Sequence, residues 1–155
     1  MRVLVLYYTK TSHTLEAAEA TASGIRVTGS EADLVSIDSF DVAQLSDYDG
    51  LVVGCPCWAG ITGRAILPPP MERALSALPA GILAGKRCGA VSVHSGTGAE
   101  NTVRYIGEIL VQKGCEDFRP GPVARAGVPF SLWVGPPVGP EDEAQFRAYG
   151  TALVS

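Results

Sequence analysis

What this chain lacks narrows what it can be. No apolar run reaches membrane length, and the N-terminus has none of the basic region, apolar stretch and cleavage site of a secretory leader. A cytoplasmic protein without membrane insertion is therefore expected. Only 4 cysteines occur in 155 residues, too few for a disulfide scaffold, so free thiols are expected. Positive charge is scarce: 12 Lys and Arg against 16 Asp and Glu, a net −4, argue against nucleic acid as a partner. The deficit is uneven. Residues 1–60 hold 3 Lys/Arg against 8 Asp/Glu, which would suit a basic partner protein, although scattered surface charge is the commoner explanation. Nucleotide signatures are missing too, with neither a GxxxxGK[ST] loop nor a GxGxxG. Cys55-Pro56-Cys57 could be drawn with His13 and His94 as a metal site, but no second CxxC or HxxxH completes it. No His–Asp pairing marks Cys57 as a nucleophile. No metal ligand and no catalytic residue is assigned.

What is present is a chain of single-domain size, residues 1–155, with 46% hydrophobic and 18% charged residues, enough to bury a proper core. Its organising stretch is Arg2–Thr14, RVLVLYYTKTSHT. Val3–Leu6 suits a strand buried on both faces, as in a parallel sheet covered by helices. Thr9-Lys10-Thr11-Ser12-His13-Thr14 follows, rich in short hydroxyl side chains, and then Leu15–Ala20, whose residues favour helix. A strand, a hydroxyl-rich turn and a helix start together make an anion site. Free N–H groups of the first helical turn point at the anion, and the helix dipole favours negative charge. A phosphate is expected there. The plainer alternative is a capping turn, for which Ser and Thr are also preferred.

Later segments repeat the pattern. The first helix should end near Ser23-Gly24, and Ala32–Ile37 alternates as a strand near a sheet edge. Asp38–Tyr48 reads as a connector or a short, weak helix. Gly50–Gly54 is a central strand running into the glycine-punctuated loop Cys55–Gly63, which carries Trp58. Pro70 should start a helix over Met71–Leu78. Lys86–Val93 is a buried strand ending in the small polar loop His94–Gly98, and Glu100–Lys113 is a helix stopped by Gly114. Glu116–Ala126 should hold a last strand, placed at an edge by Pro120 and Pro122. Gly127–Gly139 is hard to place. Pro140 with Glu141, Asp142 and Glu143 starts a helix reaching about Leu153. Alternating strands and helices with right-handed crossovers give an open parallel sheet covered on both faces. Ligands in such folds bind beyond the carboxyl ends of the strands, so the three loops Thr9–Thr14, Cys55–Gly63 and His94–Gly98 should meet at one site. A receiver domain of this topology is excluded, because Tyr7-Tyr8-Thr9 supplies none of the acids it needs.

These loops resemble those of flavodoxins. Thr9, Thr11 and Thr14 match the family's phosphate loop, (S/T)-x-T-G-N-T, while Ser12 and His13 replace its usual Gly and Asn. Gly54-Cys55-Pro56-Cys57-Trp58 is similar to the segment G-[SC]-[PS]-[TV]-[WY], whose aromatic stacks on the flavin. Ile66–Met71 and Gly89–Gly114 are similar to the next stretches. The resemblance implies a flavodoxin-like, doubly wound, five-stranded parallel sheet of order 2-1-3-4-5, and FMN as cofactor. Carried onto this chain, it implies that Thr9, Thr11, Ser12 and Thr14 carry the phosphate, with Lys10 adding long-range attraction and His13 in the same cofactor-binding loop. Ring contacts would come from Pro56, Cys57, Trp58, Ala59 and Gly60, and from His94, Ser95, Gly96, Thr97 and Gly98. One phosphate site and one displayed tryptophan also suit a mononucleotide better than a dinucleotide. The alternative for Trp58 is a core position, disfavoured by its glycine-flanked loop; Trp133 has nothing around it that marks a site.

The implied function is electron transfer between a reductase and an acceptor protein, as a monomer or weak dimer, more a carrier than an enzyme in its own right. Two alternatives stand beside it: an FMN-dependent reductase of quinones or other small molecules, and a flavodoxin-fold interaction domain without flavin. Two departures bear on the chemistry. His94–Ala99 lacks the second aromatic the family usually places over the other flavin face. Ala59 stands where a flipping glycine is common, and the acids that often follow are replaced by Ile61, Thr62 and Arg64.

Overall fold

The computed structural model describes residues 1–9, 13–57, 67–94, 98–126 and 137–155. Five strands, β1 (Arg2–Tyr7), β2 (Glu31–Ser36), β3 (Gly50–Pro56), β4 (Arg87–His94) and β5 (Asp117–Arg125), form one sheet of order β2-β1-β3-β4-β5, all parallel. Among the described residues four helices cover it: α1 (His13–Arg26), α2 (Pro69–Ser76), α3 (Ala99–Gln112) and α4 (Pro140–Leu153). Two short 3₁₀ turns, Ile37–Ser39 and Val42–Asp47, occupy the predicted connector after β2. No helix among the described residues is long and apolar enough to cross a membrane.

The period of two in β1 explains the layering. Leu4 and Leu6 face one way and pack with Leu51, Val53, Met71, Leu75, Ile106 and Leu110, the core under α2 and α3. Val3 and Val5 face the other way, with Val52, Ala18, Ile25 and Leu153, under α1 and α4. Both faces are therefore buried, as the continuous apolar run required. β2, which alternates, and β5, which carries two prolines, take the edges.

Of the boundaries that differ from the sequence expectation, four have a clear physical reason. α1 runs to Arg26 rather than stopping at Gly24, because Gly24 is a contact residue and not a cap. A Cβ built there would lie 1.9 Å from the Arg147 carbonyl oxygen of α4, and one on Gly150 would lie 2.1 Å from that of Thr21. The two helices meet backbone to backbone through these glycines. α2 begins at Pro69, because a second proline also fits a first turn whose N–H groups have no helical partner. It ends at Ser76, with Ala77 and Leu78 in the closing turn.

β3 continues to Pro56. The Cys57 N–H bonds the Val93 carbonyl at 3.0 Å, so the position where proline lacks its donor turns toward β1, which has already ended at Tyr7 opposite Gly54. β5 keeps pairing despite Pro120 and Pro122 by shifting register between Ala90 and Ser92.

At the end of the sheet away from the candidate site, charged side chains tie strand starts together. Arg2 bridges Asp33 at 3.0 Å, and the Tyr48 hydroxyl donates to the same carboxylate at 2.8 Å. Asp117 receives Arg87 at 2.9 Å and Arg119 at 3.1 Å. Donation from the Tyr48 hydroxyl, seconded by Arg2, holds the Asp33 carboxyl below its ordinary value. Arg119 and Arg87 do the same for Asp117.

Candidate functional site

Where β1, β3 and β4 end, the sheet presents three neighbouring loop roots. Tyr7 pairs with Gly54, and Pro56 with Val93, so the three strands finish side by side. The ladder then continues one step into each connection. The Tyr8 N–H bonds the Gly54 carbonyl at 3.0 Å, Cys57 bonds Val93, and Ala126 bonds His94 at 2.9 Å. Buried Ser92 adds a side-chain bond at 2.7 Å to the Cys55 carbonyl, fixing β3 against β4 at that point. The chain leaves β1 toward β2 and β3 toward β4, so these two connections part in opposite directions and open a crevice between β1 and β3.

The N-terminus of α1 faces this crevice from the β1 side. His13 and Thr14, its first two residues, are buried. A Cβ built on Gly54 would lie 3.7 Å from the Thr14 methyl, so the first turn sits directly on β3. The His13 Nδ1 atom is buried and has no hydrogen-bond partner among the described residues. Such an atom at a helix start makes this turn a place for an acceptor, and an anion suits it best.

One turn further on, the Glu16 carboxylate accepts the Val138 N–H at 2.9 Å. That bond fastens the chain before α4 to the site end of α1. Sequence reading missed it, since an acid in a first helical turn looks like an ordinary dipole complement. Ser92 was likewise unmarked, one serine within an apolar strand.

On the far side, α3 starts from Gly98, whose φ of 96° is the left-handed conformation that favours glycine. Of the residues expected at the site, Thr9, His13, Thr14, Pro56, Cys57, His94 and Gly98 are described, and all stand at these loop roots or helix starts. Lys10, Thr11, Ser12, Trp58, Ala59, Gly60, Ser95, Gly96 and Thr97 lie outside the described residues, as do Ile61, Thr62, Arg64 and Trp133.

All four cysteines are free thiols. Cys55 is enclosed in β3, and burial pushes its thiol well up, so it stays protonated, whereas Cys57 at the root of the second loop is half-buried. Among the described residues no three His, Cys, Asp or Glu side chains gather as a metal site. A cavity of about 580 Å³ lies elsewhere, between α3 and β5, with Val103, Gly107, Val111, Phe118 and Pro120 in its wall. Its described lining comes from α3 and the first half of β5.

Comparison with known proteins agrees with this geometry. The family model described as Flavodoxin matches residues 5–126. No curated protein matches significantly. Among solved structures, oxidised Flavodoxin 2 from Bacillus cereus is similar with a TM-score of 0.77 at 21% identity, covering 99% of this chain and 98% of that one. A flavodoxin from Streptococcus pneumonia is similar with a TM-score of 0.75 at 19% identity, covering 99% and 98%. Two-electron-reduced flavodoxin from Megasphaera elsdenii gives 0.72 at 18% identity, covering 97% of each. At these identities the structural likeness speaks for the fold.

Proposed function

Because this chain belongs to the flavodoxin family, we propose that it is an FMN-binding electron carrier, taking electrons from a reductase and passing them to an acceptor protein. The observation that carries the reading is the start of α1, set beside the ends of β1 and β3, with a buried His13 Nδ1 that has no partner among the described residues. The donor set fits a phosphomonoester: the N–H groups of a helix start, a buried Thr14 and an imidazole, together with the hydroxyl-rich turn read from the sequence.

FMN, when bound, supplies the redox chemistry, exchanging electrons with partners one or two at a time. The chain's part is to hold and orient it. Thr9, Thr11, Ser12, His13 and Thr14 would hold the phosphate, with Lys10 adding long-range attraction. Trp58 would stack on the ring, adding about 1 kcal/mol beyond the area it buries. Pro56, Cys57, Ala59 and Gly60 would serve that face, and His94, Ser95, Gly96, Thr97 and Gly98 the other. The bonds from Cys57 to Val93 and from Ala126 to His94 support this arrangement by fixing the roots from which both ring-side loops depart.

The absence of an aromatic in His94–Ala99 favours one second reading, a reductase acting on a small molecule at the more open flavin face. Absorbance of the purified protein, followed by FMN titration of the apo form, tests the shared premise. Oxidised-flavin bands and saturable binding are expected. A colourless protein that leaves FMN free at high micromolar concentration would refute both readings and leave an interaction domain. Steady-state turnover with a nicotinamide cofactor and a quinone then separates the two. Little turnover is expected without a separate reductase, and rapid turnover by the protein alone would establish the second reading.

A further inference from the structure

The cavity of about 580 Å³ between α3 and β5 has an apolar floor. Gly107 sits in the middle of α3, and a Cβ there would lie 2.4 Å from a Phe118 ring carbon. The missing side chain lets the Phe118 ring lie against the helix, and Val103 and Pro120 complete the hollow. Val111 stands on its wall, 54% exposed; among the described residues only Met1 and Val27 join it as exposed large apolar side chains. One surface thus carries both an apolar knob and an apolar hole. Beside them runs a ridge of exposed residues at every fourth position of α3, Glu100, Arg104, Glu108 and Gln112.

The occupant of this face has to meet it side chain to side chain. Pro120 and Pro122 leave β5 short of backbone donors, which disfavours adding a strand to that edge. The charges on the ridge then single out a second copy of this chain. Laid antiparallel about a twofold axis level with Ile106, Arg104 meets Glu108 of the second copy, and Glu108 meets Arg104 of the second copy. Glu100 falls opposite the uncharged Gln112, so no like charges face each other. A parallel pairing would instead set Arg104 against Arg104 and Glu108 against Glu108. Arg104 gives an N–H to the Asn101 side chain at 3.2 Å, and a guanidinium has further donors for a carboxylate. The same axis brings Val111 within about half a turn of Val103 in the other copy, over its hollow.

We propose that the α3–β5 face is a self-complementary docking surface on which two copies of this chain pair, α3 antiparallel to α3, with Val111 of each entering the hollow of the other. The helix has 14 residues, about 21 Å, and starts at the site end, so the two crevices lie at opposite ends of the pair. The inference does not depend on which cofactor the crevice holds.

Sedimentation velocity of the full chain from roughly 1 µM to 1 mM, the range in which a small interface associates, reads the pairing. Wild type should pass from monomer toward dimer across it. Arg104→Glu and Glu108→Arg should each raise the dimer Kd at least about tenfold, because the twofold axis repeats the like-charge contact. Mixed one to one, the two variants should recover the dimer. One copy then supplies two acids and the other two bases, so both cross pairs are again opposite in sign. Variants that had failed to fold would not recover in this way. Val111→Asp should leave the chain monomeric. A wild type that stays monomeric up to about 1 mM overturns the proposal. Single swaps or Val111→Asp that dimerise as wild type does would place the contact on another face and overturn it too, as would a mixture that stays monomeric.

Discussion

Replacing Gly150 by alanine sets two effects of known size against each other. Gly150 lies inside α4, where alanine is intrinsically the better helix former by about 1 kcal/mol. Against this, the added Cβ would lie 2.1 Å from the Thr21 carbonyl oxygen, a distance real contacts essentially never show. The obstacle is backbone in the middle of α1, so no side chain can rotate out of the way. α4 must instead retreat by 0.9 Å to reach even 3.0 Å. A gap of that width forfeits a quarter to a half of each dispersion contact along the interface, which puts the cost at the upper end of overpacking, about 3 kcal/mol. The bond from the Thr151 hydroxyl to the Gly24 carbonyl, 3.0 Å long, is stretched by the same retreat. The net loss is therefore about 2 kcal/mol, which lowers Tm by about 4–8 °C in a protein of this size. Thermal and urea unfolding of the apo protein measure it. Ala148→Gly, on the exposed side of the same helix, isolates the propensity effect and should cost about 1 kcal/mol. A Gly150→Ala protein as stable as wild type, or more so, would refute the argument that α1 and α4 are in backbone contact.

Three further outcomes are expected. Thr14→Val keeps the methyl that rests over Gly54 and removes only the hydroxyl, so FMN should bind about 1–3 kcal/mol more weakly while riboflavin barely changes; equal losses would put the phosphate elsewhere. Asp33 and Asp117 have carboxyls held below their unfolded value of about 3.9, so the stability they confer is full above that pH and is lost as pH falls through the lower folded values. In Tm measurements from pH 7 to pH 2, the deficit of an Asp33→Asn, Asp117→Asn double variant should shrink toward the acid end, and a constant deficit would show that the ion pairs do not drive the loss. The two one-electron potentials of the bound flavin should lie closer together than in typical flavodoxins. Ala59 disfavours the positive φ that a peptide flip needs, and Arg64 replaces neighbouring acids. A redox titration with two well-separated steps would refute this.

The layered sheet was legible because its signals are periodic: the apolar runs of β1, β3 and β4 and the alternation of β2 follow directly from which faces are covered. Prolines marked β5 as an edge correctly, since a missing donor is readable wherever the strand lies. Glycine was legible only in part. Gly114, with φ of 105°, ends α3 as expected, but Gly24 looked like the same punctuation and is instead a contact with a helix more than a hundred residues away. Nothing near Gly24 in sequence distinguishes the two uses. At the site, short hydroxyl residues after a strand point to an anion by a local signal, and of that turn Thr9, His13 and Thr14 are described. The Glu16–Val138 bond was invisible because both partners look ordinary until the fold brings them together.

That the strands are all parallel has a consequence for how the protein is made and lost. Every pairing joins distant stretches of chain: Arg2 with Glu31, Val3 with Gly50, Gly50 with Arg87, Arg87 with Asp117. No hairpin exists in the sheet to nucleate cheaply, so loop-closure entropy must be met before any pairing rewards it, and folding is correspondingly slow. The crevice is bordered by strands from across that order, hence no partly folded intermediate with β3 or β4 undocked contains it. On the proposed function, flavin capture would then be a late event, contingent on the whole sheet. By mass action, a ligand bound only by the finished fold protects all of it: at a hundred times its Kd it adds about 2.7 kcal/mol against global unfolding. The supply of cofactor would thus set how long each molecule survives cellular proteolysis, as well as whether it can carry electrons.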